Sequence, residues 1–353
     1  MIKKFSAYGL KYIVLTSFLF LVTVSVVLNL SILTPTEGSN QVSRGLLLES
    51  FTGEHKKWAQ EIAQFGAEQA YSNFKKTYQD TNPASQHAAA HIFGQVLYVK
   101  VGLSGATICD ESFAFGCFHS FLANAIQAEG MGVIKNLNEQ CIAKLKSQAL
   151  GCQHGIGHGI LASTGYEFAN LANALEICDS LPANDPIGGC LGGVFMEYNL
   201  QTTLGVKGRT RLVENNDYFY PCRSVAGKYG PACFYWQAQW WRSVLQEDSE
   251  QQYTTMGKFC DQVTKTDERE QCFVGIGNEV GSASGWEVEK ARTLCDLLTN
   301  TEGAVLCRSG GAGVFYAEPT VRKVALELCE GLESAQRQVC IGRSSVPEGA
   351  TRE

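Results

Sequence analysis

The sequence predicts an all-α fold in which αα-hairpin repeats, stapled by disulfides, form an open solenoid or a closed toroid behind an N-terminal transmembrane helix. Three observations support this prediction. Cysteines recur in pairs at a nearly constant spacing, the residues between them have helical patterning, and a long apolar segment lies near the N-terminus. At 353 residues the chain is long enough to stack many small units.

The N-terminal segment has the features of an uncleaved membrane anchor. Residues 12–33 are almost wholly apolar or hydroxylated, and about 20 such residues suffice for a membrane-spanning helix. Three lysines precede this segment, and the first charge after it is Glu37. The positive-inside rule therefore predicts that residues 1–11 are cytoplasmic and that the rest is exported. A cleaved signal peptide is the alternative, although the apolar run is long for one and shows no clear cleavage site.

The residues after this anchor predict a linker and the first helices. Residues 34–53 form the linker, because the segment is largely polar and contains proline and glycine. Apolar residues at helical spacing predict one helix from Glu54 to Lys76. The next helix is expected to begin at Ser85, as its cap, and to end at Gly102.

The cysteine spacing defines the repeat. The 14 cysteines form seven pairs, of which six are separated by eleven or twelve residues, and successive pairs begin 32 to 44 residues apart. That period, with helical patterning, predicts an αα-repeat array. The even number and regular spacing favour disulfides in an oxidising compartment, periplasmic or extracellular, over the scattered buried thiols of a cytosolic protein. The predicted disulfides are Cys109–Cys117, Cys141–Cys152, Cys178–Cys190, Cys222–Cys233, Cys260–Cys272, Cys295–Cys307 and Cys329–Cys340.

Each unit repeats one local pattern. A first helix ends near a Cys-Asp pair, such as Cys178-Asp179, a short loop follows, and the second cysteine begins a glycine-rich helix. The small residues would allow neighbouring helices to approach closely. The repeat domain is therefore expected to span residues 54–343, and the polar tail 344–353 is expected to be disordered.

This pattern carries a family resemblance. Cys178-Asp179-Ser180-Leu181, Gly189-Cys190-Leu191-Gly192-Gly193 and their counterparts make residues 85–343 resemble cysteine-rich, disulfide-stapled αα-repeat proteins related to tetratricopeptide repeats. The resemblance implies stacked αα-hairpins and, more distantly, the peptide binding of those families. Helices that begin with glycines and histidines also resemble those of α/α-toroid enzymes such as lanthionine cyclases. The cysteine and histidine zinc ligands of that family are not found in this sequence.

Five of the six histidines fall at equivalent positions of three successive units. They lie two and six places after the second cysteine, or after Ser85 in the unit that lacks one. Stacked repeats place equivalent positions side by side, so these histidines are expected to converge and could bind zinc or another divalent transition metal. The alternative is that they hydrogen-bond neighbouring helices or contact a ligand. The predicted metal ligands are His87, His91, His119, His154 and His158.

Polar residues at the corresponding positions of later units could continue this surface. Glu197 is a candidate carboxylate ligand, or a catalytic base for a metal-bound water. Gln239, Asn278 and Glu279 are candidate ligand contacts. The His-Glu-x-x-His motif of metalloproteases is absent, so a hydrolytic interpretation lacks a base within the histidine motifs.

Residues 233–242 concentrate three of the five tryptophans. Aromatic side chains here could line a groove for a sugar or peptide, with Tyr235 and Trp236 as contacts. They could equally form a larger core. The insertion at 201–217 is expected to be a surface loop.

These observations leave two functional hypotheses. The first is a membrane-anchored binding or scaffold module whose repeat face holds a peptide, glycan or protein partner. The second is a metal-binding protein or metal-dependent hydrolase that uses the histidines. A net charge of -6 without a lysine/arginine-rich block gives no support for a nucleic-acid partner. Dinucleotide-binding, P-loop and haem-attachment motifs are absent.

Overall fold

The structure, a computed structural model, describes residues 53–146, 149–183, 185–203 and 210–347, and it contains only helices and loops over these ranges. Within these ranges the α-helices are accompanied by short 3₁₀ helices at Gly102–Thr107, Met131–Val133, Gly227–Tyr229 and Arg322–Cys329. The α-helices of the described residues are α1 (Gly53–Phe65), α2 (Ala67–Tyr78), α3 (Pro83–Val101), α4 (Gly116–Glu129), α5 (Ile134–Leu145), α6 (Leu150–Thr164), α7 (Phe168–Asp179), α8 (Cys190–Thr203), α9 (Gly230–Val244), α10 (Ser249–Asp261), α11 (Thr266–Asn278), α12 (Val280–Ser284), α13 (Val288–Asp296), α14 (Thr301–Ala317) and α15 (Ser334–Arg343).

The helices have a repeat-like arrangement. One set, which we call the stack, packs side by side in chain order as α3, α4, α6, α8, α9, α11 and α14. The helices α5, α7, α10 and α13 come between members of the stack in sequence, and each packs against the stack helix that follows it. Neighbouring units therefore meet mainly through the stack, which is where the glycine-rich helices lie.

All seven predicted disulfides are confirmed, and the described residues contain no free cysteine. A typical bond joins the end of a flanking helix to the start of the next stack helix, as Cys178 in α7 does with Cys190 in α8. Closing a loop this short restricts the unfolded chain and contributes roughly 3 kcal/mol per bond in the entropic account.

The glycines of the stack allow the close helix approach that the sequence predicts. A Cβ atom on Gly157 of α6 would lie 2.0 Å from the carbonyl oxygen of Cys190, and one on Gly193 of α8 would lie 1.9 Å from that of His154. No side chain fits at either distance. The two helices therefore cross backbone to backbone at this pair of glycines, which fixes the position of His154 relative to α8.

Three local predictions differ from the structure. The helix predicted at 54–76 is two helices, because Gly66 adopts a φ of 80°, outside the helical region, and separates α1 from α2. Asn82, rather than Ser85, caps α3, since its side chain accepts a hydrogen bond from the Ser85 amide at 2.9 Å. Ser344 and Val346 are buried, although they belong to the tail that the sequence predicts to be disordered.

The predicted cytoplasmic segment 1–11, the anchor at 12–33 and nearly all of the linker lie outside the described residues, as do the last six residues of the tail. Within the described ranges, no helix combines the length and the apolar character that crossing a bilayer requires.

Candidate metal centre

Three consecutive helices of the stack bring the five histidines together. Helix α3 carries His87 and His91, α4 carries His119, and α6 carries His154 and His158. The rings form a continuous cluster, with centroids 4.6 Å apart for His87 and His91, 5.4 Å for His87 and His119, and 5.1 Å for His119 and His158. The sixth histidine, in α1, is not part of this cluster and contacts Gln95. We call these five side chains the histidine cluster.

Backbone carbonyls fix the tautomer of two histidines. Nδ1 of His87 lies 2.9 Å from the carbonyl oxygen of Phe113, and Nδ1 of His154 lies 2.9 Å from that of Gly188. A carbonyl oxygen only accepts, so each Nδ1 must carry the hydrogen. In a neutral imidazole the opposite atom, Nε2, then carries a lone pair. That of His87 lies 3.0 Å from Nε2 of His91 and accepts its hydrogen, whereas no N–H group of the described residues donates to that of His154.

A carboxylate orients the third ring in the same way. His158 Nδ1 donates to Glu197 Oε2 at 2.8 Å, and both side chains are buried. Nε2 of His158 is also buried and has no hydrogen-bond partner among the described residues. An unsatisfied buried polar atom costs about 1–3 kcal/mol, so this nitrogen is a feature that the fold itself does not explain.

Burial favours the neutral form of four of these imidazoles. It lowers the pKa of His154 to about 3, with a further contribution from His158. Burial likewise lowers the pKa of His91 to about 3 and that of His119 well below its usual value. The pKa of His87 is lowered for the same first reason. Neutral imidazole is the form that binds metal ions, so these side chains need no deprotonation to act as ligands at neutral pH.

Two groups of three histidines are close enough to be candidate metal sites, and they share His119. One group adds His87 and His91, and the other adds His154 and His158; within each group the candidate ligand atoms lie within 4.8 Å of one another. Nitrogens that share one tetrahedral zinc ion at bond lengths of about 2.0–2.1 Å lie about 3.3 Å apart. Each nitrogen pair therefore needs to close by at most about 1.5 Å. We call the second group, His119, His154 and His158, the buried trio, since all three side chains are buried.

Glu197 accepts hydrogen bonds at both of its carboxylate oxygens. Its Oε1 accepts hydrogen bonds from Tyr166 at 2.5 Å and from Gln201 at 2.8 Å, while Oε2 faces His158. Burial alone would raise the pKa of this carboxyl, but these hydrogen bonds, led by that from His158, lower it below its usual value. Both oxygens are thus engaged, which suits a carboxylate that orients His158 more than it suits a ligand or a base acting on water.

Met196 is a member of the site that the sequence argument missed. Its Sδ lies 3.3 Å from Nε2 of His154. The signal was present, because Met196 stands six places after Cys190, just as His158 stands six places after Cys152. A methionine is apolar, however, and its position in the repeat does not by itself mark it as a ligand.

The other predicted contact residues divide into two places. Trp236 borders the histidine cluster, with its ring 5.3 Å from that of His154 and its Nε1 donating to the Ile187 carbonyl. The remaining four lie farther along the stack, between α9 and α11. Tyr235 donates to Asn278, Glu279 pairs with Arg242 at 3.0 Å, and Gln239 has a buried Oε1 without a partner in the described part of the chain.

A separate cavity of about 600 Å³ lies beside the site. Tyr166 lines it and also donates to Glu197, so the cavity and the histidine cluster share a boundary. Arg211 lies in its wall with the guanidinium stacked 3.7 Å above the Trp240 ring, and burial lowers its pKa to about 10. Residues 210–217 of the insertion form a largely exposed loop, as the sequence predicted, and Arg211 anchors this loop to α9.

Comparisons with known proteins returned no match: no protein-family model, no curated protein and no solved structure is similar to this chain.

Proposed function

We propose that this protein binds a transition-metal ion at the histidine cluster. The observation that carries the proposal is the buried Nε2 of His158, which has no hydrogen-bond partner among the described residues while its Nδ1 is held by Glu197. A metal ion would satisfy that nitrogen. Metal-binding histidines commonly donate the other ring N–H to a carboxylate or backbone carbonyl, and three rings of this cluster do so.

The buried trio is the preferred position for the ion. It offers three imidazoles from two adjacent helices, and backbone or carboxylate acceptors hold two of them by Nδ1. Imidazole ligands suit zinc, copper, nickel and iron. His119 has one free lone pair in its neutral form and belongs to both groups of three, so we expect about one tightly bound ion per chain.

The test is the metal content of the full chain, purified in mild detergent under oxidising conditions, without a chelator or histidine tag. The variant His154→Gln/His158→Gln removes two ligands of the buried trio and retains polar side chains. His55→Gln is the matched control, because His55 lies outside the cluster. Elemental analysis should find about one ion per wild-type or control chain and a small fraction of that in the double variant.

Circular dichroism of each protein must show that it is folded, so that loss of metal is not loss of structure. A folded wild-type protein that takes up no zinc, copper or nickel would overturn the proposal. Equal metal content in the double variant would overturn it as well, because the ion would then lie elsewhere.

The setting of this centre is part of the proposal. Seven disulfides support an oxidising compartment, periplasmic or extracellular, for the repeat domain. The apolar segment at 12–33 supports a single membrane anchor with a cytoplasmic N-terminus. In sealed inside-out membrane vesicles, an added protease should cleave a tag placed at residue 1 and leave the repeat domain protected, and the reverse orientation would give the reverse result.

A second candidate function is binding of a peptide or glycan by the repeat domain. The cavity beside the cluster favours it, because its volume of about 600 Å³ and its aromatic walls, including Tyr198 and Tyr220, suit an extended polar ligand. Glycan and peptide arrays probed with the full chain test this function. Phe168→Ala in the cavity wall should abolish a specific signal, whereas Val339→Ala at an exposed site of α15 should not.

A further inference from the structure

Met196 lies beside the buried trio, in contact with His154. It projects from α8 at the position of the repeat that His158 occupies on α6, and its Sδ is 3.3 Å from Nε2 of His154. The side chain is half-buried, and its neighbour in sequence, Glu197, holds His158. One turn of α8 therefore contributes both an orienting carboxylate and a sulfur atom to the same site.

The contact between His154 and Met196 contains no proton. The hydrogen of the neutral ring is on Nδ1, which donates to the Gly188 carbonyl, and a thioether sulfur carries none. Two lone-pair atoms thus face each other. A metal cation bound between the two atoms would turn this contact of two lone pairs into two bonds to the ion.

The distance suits a shared ion. A nitrogen at about 2.0 Å and a sulfur at about 2.3 Å from one tetrahedral metal lie about 3.5 Å apart, close to the observed separation. Sulfur is otherwise scarce at this site, because every cysteine of the described residues is in a disulfide and cannot act as a thiolate. Met196 is therefore the soft donor that the cluster offers.

We propose that Met196 completes the buried trio as a fourth ligand and that this set selects copper, chiefly Cu(I), over zinc. The inference rests on the proposed function, since it concerns the identity of the metal at that same centre. Soft thioether ligands select Cu(I), whereas zinc sites are built from imidazole, thiolate and carboxylate. Three imidazoles and one thioether, with no carboxylate free to bind, therefore favour Cu(I).

The experiment measures two affinities on the full chain, purified as above. Cu(I) affinity is obtained by anaerobic competition with bicinchoninate in ascorbate, and Zn(II) affinity by competition with a chromogenic chelator. Met196→Leu is the test variant, since it removes the sulfur at nearly constant volume and should leave the fold intact. Met131→Leu, in the 3₁₀ helix after α4, is the matched control.

The expected result is that Met196→Leu weakens Cu(I) binding at least about tenfold and leaves Zn(II) binding within about twofold, since only Cu(I) gains strongly from the thioether. X-ray absorption of the copper-loaded wild type should show a sulfur scatterer that the variant lacks. Unchanged Cu(I) affinity, or equal losses for both metals, would overturn the copper assignment while leaving the metal centre in place. Failure of the wild type to bind either metal would overturn the proposed function with it.

Discussion

At the scale of single residues, the site depends on which ring nitrogen carries the hydrogen. Nδ1 of His154 donates to a backbone carbonyl, and Nδ1 of His158 donates to Glu197. In both rings Nε2 therefore keeps its lone pair for a metal ion. A backbone carbonyl cannot be removed by mutation, but the Glu197 carboxylate can. Substitution of Glu197 therefore tests directly how the orientation of His158 affects the site.

We expect Glu197→Gln to weaken metal binding by about 10- to 100-fold without unfolding the protein, because supporting carboxylates typically contribute that much to metal affinity. The amide can still accept from His158, but it loses the negative charge. Competition titration measures the change. Tyr166→Phe is the graded control, since it removes one of the hydrogen bonds to Glu197 and retains the carboxylate; its effect should be smaller. An unchanged affinity in a folded Glu197→Gln protein would contradict the supporting role.

At the scale of the helices, the cluster depends on how closely the stack packs. Gly157 and Gly193 place the backbones of α6 and α8 in contact, so the position of His154 relative to Met196 and Glu197 is set by residues that carry no side chain. A disulfide fixes the start of α8 just three residues before Gly193. Packing and covalent constraint therefore act on the same turn.

Gly193→Ala should destabilise the protein by about 3 kcal/mol, the upper end of the usual cost of overpacking, because the new Cβ would lie 1.9 Å from the His154 carbonyl oxygen. Metal affinity should fall as well, since α6 and α8 must separate. Urea unfolding of the oxidised protein measures the stability. Gly342→Ala in α15 is the matched control: its Cβ meets no atom within 4 Å, and helix propensity predicts a gain of up to about 1 kcal/mol. Similar changes in the two variants would show that close packing is not what Gly193 provides.

The cysteine spacing predicted the disulfides and the order of the helices well. A disulfide at a fixed place in each unit makes the equivalent positions of different units easy to align. That alignment also placed the five histidines on adjacent helices. The helical pattern did not reveal the break at Gly66, where a positive φ separates two helices. Nor did it reveal the stacking of Arg211 on Trp240, which depends on tertiary contacts. Met196 occupies the same position of its repeat as His158, but methionine is usually a core residue. Its contact with the His154 nitrogen, which identifies it as a candidate ligand, is known only from the structure.

At the scale of the whole molecule, the described residues include four buried or half-buried imidazoles whose pKa values are lowered. Such groups link stability to pH. In the unfolded chain a histidine takes up a proton below about pH 6.5, whereas in the folded protein His91 and His154 do so only near pH 3. Between these values the unfolded state binds more protons, so the free energy of unfolding falls as the pH falls.

We therefore expect the metal-free, chelator-treated protein to lose stability steeply between pH 7 and pH 5, by about 1–2 kcal/mol for each strongly shifted histidine. Glu197 adds to the loss at lower pH, since its pKa is also lowered and its stabilising hydrogen bonds weaken as it becomes protonated. Urea unfolding across this range measures the slope. His154→Gln/His158→Gln is the comparison, because it removes one of the two histidines with a pKa near 3 and should flatten the curve. An equally steep curve in that variant would mean that the proton uptake on unfolding comes from outside the cluster.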